Sequence, residues 1–465
     1  MSCIFHTSVA GEVVQPFSES AEIDSNGKPT MKLSPKFNAM PVLVAVSLCC
    51  GLTAARASAE TMHTPTKMPT AKAESVGMST EGLNRIDEVM QEHIDAGHIQ
   101  GAVTIVARRG KVVHFSTHGD MDVKKSRAME PDAIYRMASS TKPVIGVAAM
   151  MMVDEGLISL SDPVSKYIPE FADMKVAVLE PAANSSQGNF RKSLKQKSSK
   201  QKNFKKVVPK HRLVPVDTPM TIHHLLTHTS GLMSGGLGAA VNPVKRTSDD
   251  TLETYVAKLA KVPLDFQPGT RWAYGNAGIH AVVPRIIEIV SETPFEEFVR
   301  ERVLNPLEMN NSYFSLPSDK ESKRVVVMFK GREVKKKKGG TGLSSTAEDY
   351  LHFQQMLLNG GEFFGNRLLR PESVEMMSSN QVGDLFTRGK KGQKGMGFGY
   401  TVAVTLDPDV VANHRGKGAF GWGGAGGTMS WTDPENELVA VLMLQQPHGR
   451  TQRDFGEAVR QAVIE

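Results

Sequence analysis

Past residue 60 the chain has no cysteine; all three, Cys3, Cys49 and Cys50, come before it. The remainder therefore has no disulfide framework. No Gly-x-Ser-x-Gly occurs, so a hydrolase built on a strained nucleophile elbow has no support. His-Glu-x-x-His is missing too. Residues 191–212 contain no acid yet carry ten Lys or Arg, against a formal charge of only +6 for the whole chain. Basic character is thus local to one segment, and the rest is net negative. Residues 182–213, rich in Ser, Gln, Asn and Lys, bury too little apolar surface to order themselves and read as a disordered basic insertion. Residues 191–212 could contact an anionic surface weakly. With no interleaved aromatics and no nucleic-acid-binding fold, no specific nucleic-acid partner is expected.

Long hydrophobic runs are also lacking. The longest candidate, residues 40–54, is too short for a stable membrane helix. It follows a basic start at Met31 and precedes Ala57-Ser58-Ala59, a small-x-small cleavage pattern. Residues 1–59 therefore read as a leader and signal peptide, with residues 1–30 an extended leader or an upstream misassigned start. The mature chain would begin near Glu60, be periplasmic or secreted, and hold no transmembrane segment. Lipid attachment at Cys49 or Cys50 is the rival, but Leu48 and Cys49 are poor residues immediately before a lipidated cysteine.

What the sequence does have is Tyr-Arg-Met-Ala-Ser-Ser-Thr-Lys-Pro at residues 135–143, followed by an Ala- and Met-rich apolar run that reads as a buried helix. Ser139 and Lys142 sit at i and i+3, on one helix face. Pro143 suits a first helical turn, where its missing N–H leaves nothing unpaired. The helix dipole favours negative charge developing at the serine. A lysine that loses hydration there has a lowered pKa and can act as a base. Ser-x-x-Lys is then a nucleophile with its own proton acceptor. The spacing alone is weak evidence: Ser25/Lys28 and Ser199/Lys202 share it in polar surroundings.

Two later stretches add to it. Tyr274-Gly275-Asn276 is the only Tyr-x-Asn among seven tyrosines. A phenol beside a lysine ammonium can ionise more easily and serve as general base, and the asparagine can bond the substrate or the lysine. Residues 421–428, Gly-Trp-Gly-Gly-Ala-Gly-Gly-Thr, are dense in glycine, which lets backbone N–H groups approach a ligand as an oxyanion hole requires. His223, His224 and His228 include an i, i+4 pair of the kind zinc uses, but packing and loop-pinning is the better reading, and no metal or cofactor is expected.

Helical patterns cover 79–96, 144–156, 251–260, 277–290, 294–303, 347–359 and 455–464, with a short helix within 218–232. Strand patterns cover 101–107, 112–116, 397–406, 428–432 and 438–444. Strands at both ends around a helical middle predict an α/β lobe from 75–135 and 340–465, with a helical lobe, 136–339, inserted.

The three motifs, in this order, resemble the serine hydrolases of the class C β-lactamase, DD-peptidase and family VIII esterase group, over roughly residues 75–460. The phrases at 225–232, 306–309, 340–343 and 345–349 share the likeness. The resemblance implies a β-lactamase-like α/β (α+β) fold, an antiparallel sheet flanked by helices, within one hydrolase domain spanning 60–465. It implies Ser139 as nucleophile, Lys142 as its partner, Tyr274 as general base and acid, and Asn276 as a substrate contact or lysine anchor. Backbone N–H groups of Ser139 and Ala425 would form the oxyanion hole, and Trp422, Gly423 and Gly424 would line the substrate. Penicillin-recognising members carry Lys-Thr-Gly where this chain has Trp422-Gly423-Gly424. The expectation is an exported serine hydrolase acting through an acyl-enzyme on small esters. A β-lactamase or D-amino-acid peptidase, and a non-catalytic penicillin-type sensor or wall-binding protein, are the alternatives.

Overall fold

A computed structural model describes residues 68–180, 208–316, 324–327, 342–388, 394–411 and 413–464. The expected leader and signal peptide, most of the basic insertion and the lysine run at 335–338 lie outside the described residues. Among the described residues no helix is long and apolar enough to cross a membrane.

The first helix, α1 (Thr80–Asp95), opens on Ser79, whose hydroxyl accepts from the Gly82 N–H; such a cap is worth about 1 kcal/mol. Strands β1 (Gly101–Arg108), β2 (Lys111–Asp122) and β3 (Arg127–Ala128) follow, then the short β4 (Tyr135–Arg136) and helix α2 (Thr141–Asp154). Every α2 residue from Thr141 to Met152 is buried, as expected of a helix that is apolar all round. Strands β5 (Lys175–Leu179) and β6 (His211–Pro215) pair as a ribbon. Short helices follow as far as Leu304, and β7 (Ser344–Ser345) and the helix Ala347–Leu358 come later. A small ribbon, β8 (Glu362–Phe363) with β9 (Asn366–Arg367), precedes β10 (Met396–Phe398), β11 (Ala403–Thr405), β12 (Phe420–Gly423), β13 (Met429–Asp433), β14 (Leu438–Met443) and the last helix, Gly449–Ala462.

The main sheet has the order β10-β11-β12-β13-β14-β1-β2-β3, with every pairing antiparallel. Because side chains alternate along a strand, the sheet buries two cores. Val103, Ile105, Val439, Val441 and Met443 face α2 and the helix Ala347–Leu358. Ala102, Val106, Ala440 and Leu442 face α1 and the last helix, where Leu83, Ile86, Met90, Phe455 and Val459 pack. A fully buried aliphatic of this size contributes about 1.5–3 kcal/mol. The fold is the expected one: an antiparallel sheet flanked by helices, made from two separate stretches of the chain. Tyr135 pairs with Ser345 and Arg136 with Ser344, so the chain leaves for the middle segment and returns beside itself.

Four expectations need correction. The middle segment is not all helical, since it holds the β5–β6 ribbon. Within the insertion expected to be disordered, His211–Leu213 are ordered, because they pair with Leu179, Val178 and Ala177 of β5. The strand expected over 397–406 is two strands separated by a turn, where Thr401 takes a left-handed φ of 69°. The last helix begins at Gly449, capped by the His448 ring, ahead of its first large apolar residue.

Candidate active site

Ser139 lies in the 3₁₀ turn Ala138–Ser140 that runs directly into α2. Ala138 has a φ of 47°, a strained conformation for a residue with a Cβ. The turn is held from three directions. The Met137 N–H donates to the Leu343 carbonyl at 2.9 Å, the Tyr350 hydroxyl donates to the Ser140 carbonyl at 2.6 Å, and the Ser140 and Thr428 hydroxyls lie 2.9 Å apart. Strain of this kind persists only when the surroundings over-determine it.

One turn on, Lys142 is completely buried. Its Nζ lies 3.1 Å from Ser139 Oγ, 2.6 Å from the Tyr274 hydroxyl, 2.8 Å from Asn276 Oδ1 and 3.1 Å from His280 Nε2. The Tyr274 hydroxyl is itself 2.6 Å from Ser139 Oγ. Serine, tyrosine and lysine thus form a closed triangle, and Asn276 and His280 hold the amine from behind.

Burial pushes the Lys142 pKa down to about 7. Burial raises the Tyr274 pKa, opposed by its hydrogen bond with Ser139. The expectation that a lysine ammonium eases ionisation of the tyrosine is therefore reversed: near neutral pH the tyrosine stays a phenol, while the lysine has a substantial population of the neutral amine. A neutral amine can donate to Asn276 and His280 and keep its lone pair for the phenol. The Ser139 proton then has a path, to the Tyr274 oxygen as the Tyr274 proton moves to Lys142.

The other predicted residues are close by. Trp422 lies within β12, one residue from its end, with its ring 5.7 Å from that of Tyr274 and edge-on to Phe398 at 5.3 Å. With Trp272, Val382 and Phe386 it forms an apolar wall. Gly423 closes β12, and Gly424 must be glycine because a Cβ there would run into the Met137 carbonyl. That places Ala425 next to the turn bearing Ser139.

The three histidines do not share a ligand. His223 Nδ1 lies 3.0 Å from the Tyr400 hydroxyl. His224 closes a capping box with Thr221. His228 is buried, and its Nδ1 accepts from the Gly275 N–H at 3.4 Å while its carbonyl accepts from Ala273. Desolvation holds the ring far below the ordinary imidazole pKa, which keeps that lone pair available. The ring packs 4.7 Å from Tyr274, so His228 pins the tyrosine loop as expected.

His280 was not foreseen. It sits in a single π-helical turn, Gly278–Val282, and its N–H donates to the Asn276 carbonyl at 2.8 Å. Its i, i+4 spacing from Asn276 was the available signal. Tyr350 and Thr428 gave none.

The β-lactamase family profile (Beta-lactamase) matches residues 86–463. The chain belongs to the β-lactamase family of serine hydrolases. It is 33% identical over 384 residues to Protein Rv1367c of Mycobacterium tuberculosis, covering 77% of this chain and 88% of that one. It is 26% identical over 418 residues to the esterase EstB of Burkholderia gladioli, covering 82% and 94%. Among solved structures it resembles EstCE1, described as a hydrolase with promiscuous acyltransferase activity, with a TM-score of 0.64 at 23% identity over 82% of this chain and 99% of the other. That likeness bears on the fold.

Proposed function

We propose that this family member is an exported carboxylesterase that works through an acyl-enzyme on Ser139. The Ser139–Tyr274–Lys142 triangle carries the reading. Ser139 Oγ attacks the ester carbonyl as its proton passes through Tyr274 to Lys142. The oxyanion faces the backbone N–H groups of Ser139 and Ala425. Collapse breaks the C–O bond to the alcohol, which takes the proton back, and water then hydrolyses the acyl-serine by the same route. Residues 1–59 serve as the leader removed on export. The esterase relative is consistent with this choice of substrate.

The preference for esters over lactams rests on Trp422. β-Lactams and peptide C-termini carry a carboxylate, which a lysine at this position can hold by charge and hydrogen bond. Trp422 offers a flat apolar face and one N–H donor. A carboxylate set there without full compensation loses about 1–3 kcal/mol, or roughly ten- to hundred-fold in discrimination.

One assay covers both parts. Turnover of p-nitrophenyl butyrate should be sustained, and its kcat/KM should exceed that of benzylpenicillin by roughly ten- to hundred-fold or more. For the ester, kcat/KM should climb through about pH 7 and then level off, since Lys142 must be neutral to take the proton and becomes so above its lowered pKa. A higher kcat/KM for benzylpenicillin, or a single burst without turnover, would overturn the esterase reading. A flat profile across neutral pH would remove Lys142 as the base.

A further inference from the structure

On the sheet face turned away from α2, β1 and β2 set Ala102 opposite His118 and Val106 opposite His114, with Thr104 between them. Helix α1 lies over this face and brings Asp87 down on to it. Thr104 Oγ1 is 2.8 Å from His114 Nε2 and 3.1 Å from His118 Nε2. Asp87 Oδ1 is 3.6 Å from His118 Nε2 and 3.9 Å from His114 Nε2. Four donor atoms therefore converge, and the ligand atoms of Asp87, His114 and His118 all lie within 4.8 Å of one another.

We propose that Asp87, His114, His118 and Thr104 form a divalent-metal site, best suited to zinc, that clips α1 to the β1–β2 hairpin. Tetrahedral zinc with N and O ligands at about 2.0–2.1 Å has donor-to-donor edges of about 3.3–3.4 Å. The four separations straddle that value, two slightly short and two slightly long. Two imidazoles, one carboxylate and a neutral oxygen make a donor set that zinc accepts.

A second observation supports a ligand here. Asp87 Oδ1 is shielded from solvent and has no hydrogen-bond partner. A buried acceptor left that way calls for an ion or water. The Thr104 hydroxyl can bridge the two histidines without any metal, but it leaves this carboxylate oxygen unsatisfied.

His93, His98 and His448 form another histidine cluster, but their bonds are already made. His93 lies between His98 Nδ1 at 2.9 Å and Asp454 at 3.1 Å, and His448 Nδ1 accepts from the Thr451 N–H. That cluster serves as the control. The Asp87 site lies on the opposite sheet face from α2 and the serine, so its effect is on stability and not on chemistry.

The test uses the full chain, stripped with chelator and titrated with Co(II). The expected result is saturable binding of one equivalent, the visible absorption of a four-coordinate ion, and displacement by one equivalent of Zn(II). Zinc should raise the melting temperature by a few degrees and leave kcat on the ester unchanged. Asp87→Asn changes a partly exposed side chain and should weaken binding at least tenfold, as should His118→Gln; His448→Gln and Ser139→Ala should bind normally. No saturable binding, or binding retained in both Asp87→Asn and His118→Gln, would overturn the site.

Discussion

Ser139→Ala should remove almost all ester turnover, by about 10³-fold or more, and leave the protein folded. Among the described residues the hydroxyl's hydrogen-bond partners are Lys142 Nζ and the Tyr274 hydroxyl, so deleting it breaks none of the bonds described above that hold the turn. The bonds that do so come from Met137, Tyr350 and Thr428 and remain in the variant. The expected outcome is an unchanged melting temperature with kcat near background. In the wild-type protein a serine-directed phosphonate should add its mass to one peptide, that containing residue 139. Label on Ser25 or Ser199 instead would sink the assignment, since both share the Ser-x-x-Lys spacing.

Tyr274→Phe should cost roughly 10²- to 10⁴-fold in kcat. The ring's packing against His228 and Trp422 is kept, so the stability change should stay near about 1 kcal/mol, the scale of one hydrogen bond. What disappears is the bridge. Serine and lysine are 3.1 Å apart directly, whereas each is 2.6 Å from the phenol oxygen. A kcat near that of wild type would mean that Lys142 takes the proton directly and that the tyrosine only packs. Steady-state kinetics with a melting curve on the same sample separates the two.

The elements readable from the sequence were those whose signal is local. The apolar run after Ser139 could only be a buried helix, and the alternation at 101–107 marked a strand. The last helix shows the limit: residues 449–454 are mostly polar, so an apolar periodicity starts only at Phe455, although the His448 cap sets the real beginning. At the site, Ser139, Lys142, Tyr274 and Asn276 do converge. The lowered Lys142 pKa agrees with the buried helix read there, whereas the raised Tyr274 pKa depends on how far the fold buries the phenol, which the local sequence does not show. His280 lies one turn after Asn276, but only the fold shows that its ring meets Lys142. The cluster of Asp87, Thr104, His114 and His118 spans a helix and two strands, and only their packing brings it together.

The pairing of β1 with β14 has a consequence for timing. Thr104 lies opposite Leu442, so the middle of the main sheet joins stretches separated by most of the chain. Contacts this distant in sequence form slowly, because the ordering of everything between them must be repaid by the closure. During synthesis β1 waits, one edge open, until residues 438–443 have been made. The Ser139 turn waits too, since Tyr350 and Thr428 reach it only from later segments. The Ser139 turn is thus completed only once almost the last residues of the chain have emerged.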